Sequence, residues 1–398
     1  MTRVVLGVAG GIAAYKSVEL LRLLSEAGHD VRVVPTESAL EFVGAPTWSA
    51  LSRHPVTSST WDEVHEVAHV RIGQEADLVV VAPATANLLA KAAHGIADDL
   101  LTATLLTARC PVVMAPAMHT EMWEHPATVA NVEVLRARGV LVVEPAVGRL
   151  TGADSGKGRL PDPAALARLC ERVLATAGTL DLTGRRVLVS SGGTREHLDA
   201  VRYLGNRSSG RQGHALAATA VSRGASVVLV TSSSLPDPAG VDVIRVTSAL
   251  EMRDAVLRET PTADAVVMAA AVADYRAAEP LATKRKKTPT LELSLVANPD
   301  ILREVVEARR PGQVLVGFAA ETGDGDGDVL EHGRQKLARK GCDLLVVNEV
   351  GPPGHPTGFE GQHNAATVLG ADGSITEIAL GTKEALADVI WDLVAIRL

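Results

Sequence analysis

A chain of 398 residues is too long for one ordinary domain and suits two of roughly 150 to 200 residues. With 46% hydrophobic but only 3% aromatic residues, both cores must be built from Val, Ala and Leu, which suits parallel sheets covered by small-residue helices. A net charge of −8, three scattered cysteines (Cys110, Cys170, Cys342) and the lack of any membrane-length apolar run argue against extended nucleic-acid binding, a disulfide framework, a thiolate metal site and a spanning helix. The N-terminus enters a strand within three residues, without a signal-peptide pattern, so a reducing cytoplasm is the expected compartment.

The first strand, Val4–Val8, leads through Gly10-Gly11 into a helix signalled by SVELLRLLSEAG. A strand, a glycine turn and a helix start suit phosphate: glycine lets backbone N–H groups approach an anion, and the helix adds its positive dipole end. Strands at Val31–Val34, Leu78–Val81, Val112–Ala115 and Val140–Val143 alternate with helical stretches, the pattern of an open, doubly wound α/β sheet. Ligands of such sheets bind beyond the strand C-termini. The first four ends carry Ala9-Gly10-Gly11, Pro35-Thr36, Ala82–Asn87 and Ala115–His119, mostly small and hydroxyl residues that leave room for a flat ligand with a polar tail.

His65-Glu66-Val67-Ala68-His69 matches the HExxH zinc spacing. A metalloprotease also needs a third ligand and a fold that this strand–helix alternation does not supply, and His69 taken alone is a helix-surface histidine. Residues 145–163, rich in Gly and Pro without periodicity, read as a long mobile loop of the lid type. A helix to Ala177 closes a first domain, 1–178, and Gly178 to Gly184 forms a linker.

The second domain, 184–398, starts again with the strand Arg186–Ser190. Behind it SSGGTREHLDAVRYLGNRSSGRQG (190–213) packs five glycines and four arginines, a second loop suited to phosphate. Strands follow at Val227–Thr231, Val243–Val246, Ala265–Ala269, Val314–Phe318 and Leu344–Val347, with a hairpin of Thr367–Leu369 and Ile375–Ile378 around Asp372-Gly373. The loop at 190–193 is not a GxGxxG fingerprint and no acidic residue ends the second strand, which argues against a dinucleotide oxidoreductase. Lys284-Arg285-Lys286-Lys287 taken alone is a solvated basic loop. In an acidic chain, shortly after a Gly- and Ala-rich strand end, such a cluster is less easily dismissed. Gly323–Asp328 alternates Gly with Asp, but a calcium loop counted from Asp324 ends on Gln335 where a glutamate is needed, leaving a flexible acidic turn.

Over essentially its whole length the chain resembles the bacterial bifunctional phosphopantothenoylcysteine decarboxylase/phosphopantothenate–cysteine ligases of coenzyme A biosynthesis. The N-terminal markers are GGIAAYK (10–16), APATANL (82–88), ADDL (97–100) and PAMHTEMW (116–123). SGGTRE, DAVRY and NRSSG follow, then AAVADYR (270–276), KRKK (284–287), NPDI (298–301), GFAAET (317–322) and GFEGQHN (358–364). The resemblance implies a flavodoxin-like flavoprotein domain, a Rossmann-like ligase domain and a homo-oligomer. It further implies that CTP, with Mg²⁺, activates the carboxylate of 4'-phosphopantothenate as an acyl-cytidylate, from which cysteine displaces CMP. FMN-dependent oxidation of the cysteinyl side chain to a thioaldehyde then eases loss of carbon dioxide, and return of the electrons leaves 4'-phosphopantetheine.

By the same resemblance Gly10, Gly11, Ser17, Thr36, Thr85 and Asn87 hold FMN, and His69 orients or deprotonates the substrate. Met118 and His119 stand where the family's PxMNxxMW motif binds the substrate carboxylate. His119 replaces the usual asparagine, and an imidazole N–H can still donate. A loop cysteine that protonates the enethiolate in many relatives is matched by Gly152, which leaves either another donor such as Asp154, Lys157 or water, or a different reductive half-reaction. In the ligase half Asn206 helps convert the acyl-cytidylate, although Asn beside a Ser-Ser-Gly tract is ordinarily a turn residue. Asp274 and Lys284 hold CTP, with Lys284 neutralising the triphosphate as pyrophosphate leaves. Pro299, Asp300, Ile301, Leu302, Phe318, Lys336 and Lys340 are further CTP contacts, the two lysines sharing one helix face. Ser208, Ser209 and Gly210 contact substrate. No carboxylate cluster announces a metal site, in keeping with an ion held mainly by phosphates and water.

Overall fold

The computed structural model describes residues 1–59, 67–150, 154–284, 286–287, 290–321, 329–349, 361 and 363–398. The expectations for His65, Gly152 and Gly323–Asp328 lie outside them. Two compact units emerge, Met1–Gly184 with Val221–Ala225, and Arg185–Ala220 with Ser226–Leu398.

In the first unit β1 (Arg3–Val8), β2 (Asp30–Pro35), β3 (Leu78–Ala84), β4 (Val112–Pro116) and β5 (Leu141–Val142) form a parallel sheet of order β2-β1-β3-β4-β5. This is the flavodoxin order, with its topological switch between β1 and β3. Every residue of β3 is buried, as in a sheet covered on both faces. Gly7 is a packing requirement here, since a Cβ would lie 2.6 Å from Leu101 Cδ1.

The stretch 145–163 departs from the irregular loop expected. It forms an antiparallel hairpin of β6 (Ala146–Arg149) and β7 (Ser155–Arg159). Its glycines answer to crowding: a Cβ on Gly158 would lie 2.1 Å from the Met118 carbonyl oxygen, and one on Gly156 2.2 Å from Thr120 Oγ1. Met118 N–H donates to the Gly158 carbonyl at 3.0 Å. At the root of the hairpin, Glu144 accepts from Lys157 Nζ at 2.8 Å and Arg136 Nη2 at 2.6 Å. The following helix, Pro163–Ala175, is capped by Asp162, which accepts from the N–H groups of Ala164 and Ala165.

The second unit contains β8 (Arg186–Ser191), β9 (Arg195–His197), β10 (Tyr203–Gly205), β11 (Ser226–Thr231), β12 (Val241–Arg245), β13 (Ala265–Met268), β14 (Tyr275–Ala277), β15 (Leu295–Ala297), β16 (Val314–Glu321), β17 (Leu344–Glu349), β18 (His363–Gly370) and β19 (Ile375–Thr382). Its main sheet runs β12-β11-β8-β13-β16-β17-β18-β19, parallel as far as β17 and antiparallel in the last hairpin. The six parallel strands follow the Rossmann order, with the switch between β8 and β13. The pairs β9–β10 and β14–β15 are separate two-stranded sheets whose three-residue strands are too short for alternation to reveal in the sequence. The C-terminal helix Lys383–Ala395 is fixed by the buried Trp391, whose Nε1 donates to the Leu216 carbonyl at 2.9 Å.

Candidate functional site

Beyond the carboxyl ends of β13 and β16 lies a cavity of about 500 Å³. The loop before helix Arg211–Ser222 contributes Asn206, Ser208 and Gly210, and the segment after β13 contributes Asp274. The start of helix Ile301–Glu307 supplies Pro299, Asp300, Ile301 and Leu302, β16 supplies Phe318, and helix Val329–Lys340 supplies Lys336 and Lys340. Ser209 lines a neighbouring cavity of about 350 Å³ with Ser232 and Ser233. Lys284 is exposed and lies outside both linings.

The first half of the glycine-rich loop is committed to the fold. Ser190 Oγ accepts from Ala270 N–H at 3.1 Å, Thr194 Oγ1 accepts from Ala273 N–H at 2.9 Å, and Ala271 N–H donates to the Gly192 carbonyl at 2.8 Å. Glu196 accepts from Ala249 N–H at 2.9 Å, at the start of helix Ala249–Glu259, and buried Asp199 accepts from the N–H groups of Val201 and Arg202, both at 2.8 Å. These markers build scaffold across the switch point.

The part suited to an anion is the second half. Gly210 adopts φ +80°, and a Cβ there would lie 2.6 Å from Ser233 Cβ, so only glycine can start the helix this close to its neighbour. Its carbonyl accepts from Ser191 Oγ at 2.8 Å and faces His214 Nδ1 at 3.0 Å. Burial pushes His214 below the ordinary histidine range.

Asn206 Nδ2 donates to the Val272 carbonyl at 3.0 Å and Asn298 Nδ2 to that of Ala273 at 2.8 Å, so two loops hold the AAVAD segment from opposite sides. Asp300 accepts from Arg303 N–H at 3.3 Å and pairs with Lys340. Asn298, Arg211, Gln212, Asn364 and Lys383 line the same cavity although sequence reasoning assigned them nothing. Asn298 and Asn364 stand in quoted motifs, which was their only signal. Lys383, 4% exposed, had none, because a lysine at the head of an amphipathic helix reads as surface.

In the first unit a Cβ on Gly10 would lie 2.4 Å from Ser38 Cβ, whereas one on Gly11 would meet nothing closer than Thr85 Cγ2 at 3.7 Å. Gly10 therefore serves close packing and Gly11 leaves the turn open. Thr36 and Thr85 each accept a backbone N–H at 3.3 Å, from Ala39 and Leu88, which leaves their hydroxyl protons to donate outward. Asn87 is exposed in the first turn of helix Ala86–His94. Ser17 is fully buried, and its hydroxyl donates to the Ala82 carbonyl at 2.5 Å, anchoring the end of β3 from beneath.

His69 lies half-buried in the first turn of helix Ala68–Glu75. The His69 carbonyl accepts at 2.7 Å from the hydroxyl of Thr107, the last residue of helix Leu100–Thr107. After β4 come Met118 and the exposed His119, whose Nδ1 is 3.3 Å from Asp154 Oδ2. Glu121 completes an exposed trio with ligand atoms within 4.8 Å of one another. Burial pushes the Glu144 carboxyl up, but Lys157 and Arg136 outweigh it and hold it below the usual carboxylate range. Burial raises all three thiols, Cys170 to about 12 and Cys342 to about 11, so the cysteines rest protonated.

A flavodoxin-order unit followed by a Rossmann-order unit defines a two-domain α/β protein of the class that binds ligands at topological switch points, and the family matches make it a flavoprotein. The Flavoprotein family covers residues 1–174, and the DNA/pantothenate metabolism flavoprotein C-terminal domain covers residues 182–397. The chain is 57% identical to the coenzyme A biosynthesis bifunctional protein CoaBC of Mycolicibacterium smegmatis, over 99% of this chain and 97% of that one. It is 43% identical to the Bacillus subtilis protein of the same name (96% and 93%) and 41% to that of Escherichia coli K12 (99% and 97%). The chain belongs to the CoaBC family of bifunctional coenzyme A biosynthesis proteins. No helix among the described residues is long and apolar enough to cross a membrane.

Proposed function

We propose that the second unit uses CTP and Mg²⁺ to join cysteine to 4'-phosphopantothenate through an acyl-cytidylate. The first unit, holding FMN, then decarboxylates 4'-phosphopantothenoylcysteine to 4'-phosphopantetheine, in a cytoplasmic homo-oligomer. The observation that carries this reading is the convergence of Asn206, Asp274, Asp300, Phe318 and Lys336 on one cavity. Phe318 and the small Ala269–Ala271 wall suit a flat base, while Lys336 and the start of helix Arg211–Ser222 suit its phosphates. Asp274 offers Mg²⁺ one carboxylate, the remaining ligands being phosphate oxygens and water. The Asn206 amide, anchored by one N–H to Val272, keeps its other N–H and its oxygen for the reacting acyl group. Lys284 neutralises the triphosphate as pyrophosphate leaves.

In the first unit the bound flavin supplies the two-electron oxidation that gives the carboxylate an adjacent electron sink. The Gly11 turn and the Thr36 and Thr85 hydroxyls fit the phosphate end of such a cofactor. His69 holds or removes a substrate proton, and His119 donates an N–H to the substrate carboxylate. Asp154, beside His119, is the acid that replaces the family's loop thiol, since Lys157 is engaged by Glu144.

Incubating purified protein with 4'-phosphopantothenate, cysteine, CTP and Mg²⁺, followed by mass analysis, tests both halves. The expected product is 4'-phosphopantetheine, with CMP and pyrophosphate released. Accumulation of 4'-phosphopantothenoylcysteine would remove the first unit's role, and absence of CTP-dependent pyrophosphate the second's.

A further inference from the structure

Three non-glycine residues have positive φ among the described residues. Arg53 and Ala177 follow the ends of helices, the ordinary place for a left-handed residue. Val67 instead opens one: it is the N-cap of helix Ala68–Glu75, at φ +47° and ψ +56°, and its side chain makes no capping hydrogen bond. A β-branched residue in that region is strained, and the strain persists only where the surroundings hold it. Val67 is itself exposed, so the hold must come through the helix that it opens. That hold is visible at Thr107, whose hydroxyl donates to the His69 carbonyl at 2.7 Å. The carbonyls of Thr104 and Ala103, in the hydroxyl's own helix, are farther away, at 3.0 and 3.4 Å. A helical threonine ordinarily turns its one proton back to such a carbonyl; here the nearest acceptor belongs to the neighbouring helix. The two helices approach this closely because position 73 is glycine: a Cβ there would lie 2.2 Å from Thr107 Oγ1 and 2.8 Å from the Thr104 carbonyl oxygen. Helix Leu100–Thr107 is a firm partner, since Asp99 and Thr102 cap it reciprocally and its Leu100 and Leu101 share one core with Ala68 and Ile72.

We propose that Thr107 is a positioning residue for the decarboxylation: its bond to the His69 carbonyl, allowed by Gly73, holds the strained first turn of helix Ala68–Glu75 and so fixes the His69 imidazole where it acts. The inference rests on the reading of His69 as the group that holds or removes a substrate proton. It adds to that reading a residue that stands in none of the sequence motifs and acts through the backbone, with no contact to substrate or flavin required.

The test is single-turnover flavin reduction by 4'-phosphopantothenoylcysteine in the FMN-loaded full chain, comparing the unaltered protein with Thr107→Val, Thr107→Ser and His69→Asn. Valine keeps the shape of threonine and removes the hydroxyl. At saturating substrate the Thr107→Val rate should fall by about tenfold or more, the scale of one lost hydrogen bond that leaves a carbonyl unpaired. Its bound FMN, read from the flavin absorbance, and the substrate concentration at half-maximal rate should stay those of the unaltered protein. Thr107→Ser keeps the hydroxyl and should restore the rate. A Thr107→Val rate equal to that of the unaltered protein, a Thr107→Ser rate as low as that of Thr107→Val, or a loss that merely follows lost FMN would each overturn the proposal. Should Thr107→Val fail to fold, Thr107→Ala decides by the same comparison, since its smaller side chain leaves the His69 carbonyl open to water. His69→Asn tests the reading beneath: unchanged flavin reduction there removes the role of His69 and this inference with it. Slow reduction in His69→Asn beside an unaltered rate in Thr107→Val sinks the inference alone.

Discussion

The two units begin alike, with a first strand running into a glycine pair, and each uses glycine for close packing, although Gly11 alone of the four stays open. Gly10 is consumed by the approach of Ser38, and Gly192-Gly193 by stitching to the segment after β13. They differ in what is left to meet a ligand. The first unit offers threonine hydroxyls and histidines spread along strand ends, whereas the second gathers amides and charges around one cavity. A glycine motif after the first strand thus reports how closely the backbone must pack, and the ligand-facing groups have to be sought on the neighbouring loops.

The sharpest way to break this comparison is to ask whether the two chemistries are separable. His69→Asn should lower carbon dioxide release by roughly 10²–10⁴-fold, the usual contribution of a positioned acid–base group, and leave CTP-dependent ligation intact. Loss of both activities in a folded variant would deny the division.

Within the second unit, Lys284→Gln should slow acyl-cytidylate formation by roughly 10²–10³-fold, as for other single electrostatic stabilisers. Asn206→Asp should instead form the acyl-cytidylate and pass it slowly to cysteine. Quenched-flow mass analysis would find the intermediate in the Asn206 variant and not in the Lys284 variant. The same block in both would return Asn206 to a turn residue.

The packing role of the glycines is open to a paired substitution. Gly10→Ala should cost about 1–3 kcal/mol by overpacking against Ser38, while Gly11→Ala, with room for its methyl and no left-handed φ, should be neutral or slightly stabilising. Equal losses in denaturant melts would refute the distinction.

The smallest effect is the acid sensitivity of the second unit. Burial holds the folded-state pKa of His214 below its unfolded value, and Arg245 adds to this while the Gly210 carbonyl and Asp237 oppose it. The unfolded chain therefore binds the proton first, and stability should fall as pH drops below about 6.5, by at most about 1.4 kcal/mol per pH unit. His214→Gln should flatten that part of the stability profile, read from melts between neutral and mildly acidic pH.

The parallel strands were legible because uninterrupted Val, Leu and Ala runs bounded by small residues have few other uses in a chain this poor in aromatics. The two strand orders were legible only through the family resemblance, because strands this similar do not say which neighbour each will take. The hairpin β6–β7 was missed because its glycines mimic a loop when they are in fact fitted against Met118 and Thr120. Ser17 was given to FMN by resemblance; its hydroxyl donates to Ala82, and only the packing of helix Ala14–Glu26 on β3 decides that. Among the ligase residues, those at the start of helix Ile301–Glu307 were reached through the resemblance carried by NPDI, and they line the cavity. Lys383 was not, since its burial depends on β18, β19 and the Arg211 helix meeting from distant parts of the sequence.

The hairpin also changes what a missing thiol means. Its backbone is registered to the Met118–Thr120 loop by one hydrogen bond and two glycine contacts, and its root is clamped through Glu144. Asp154, the residue before β7, is thereby held beside His119, with Oδ2 3.3 Å from Nδ1, two positions along the chain from the residue matched to the relatives' cysteine. A proton donor at Asp154, as proposed above, would be placed by strand pairing and glycine packing and not by a free loop.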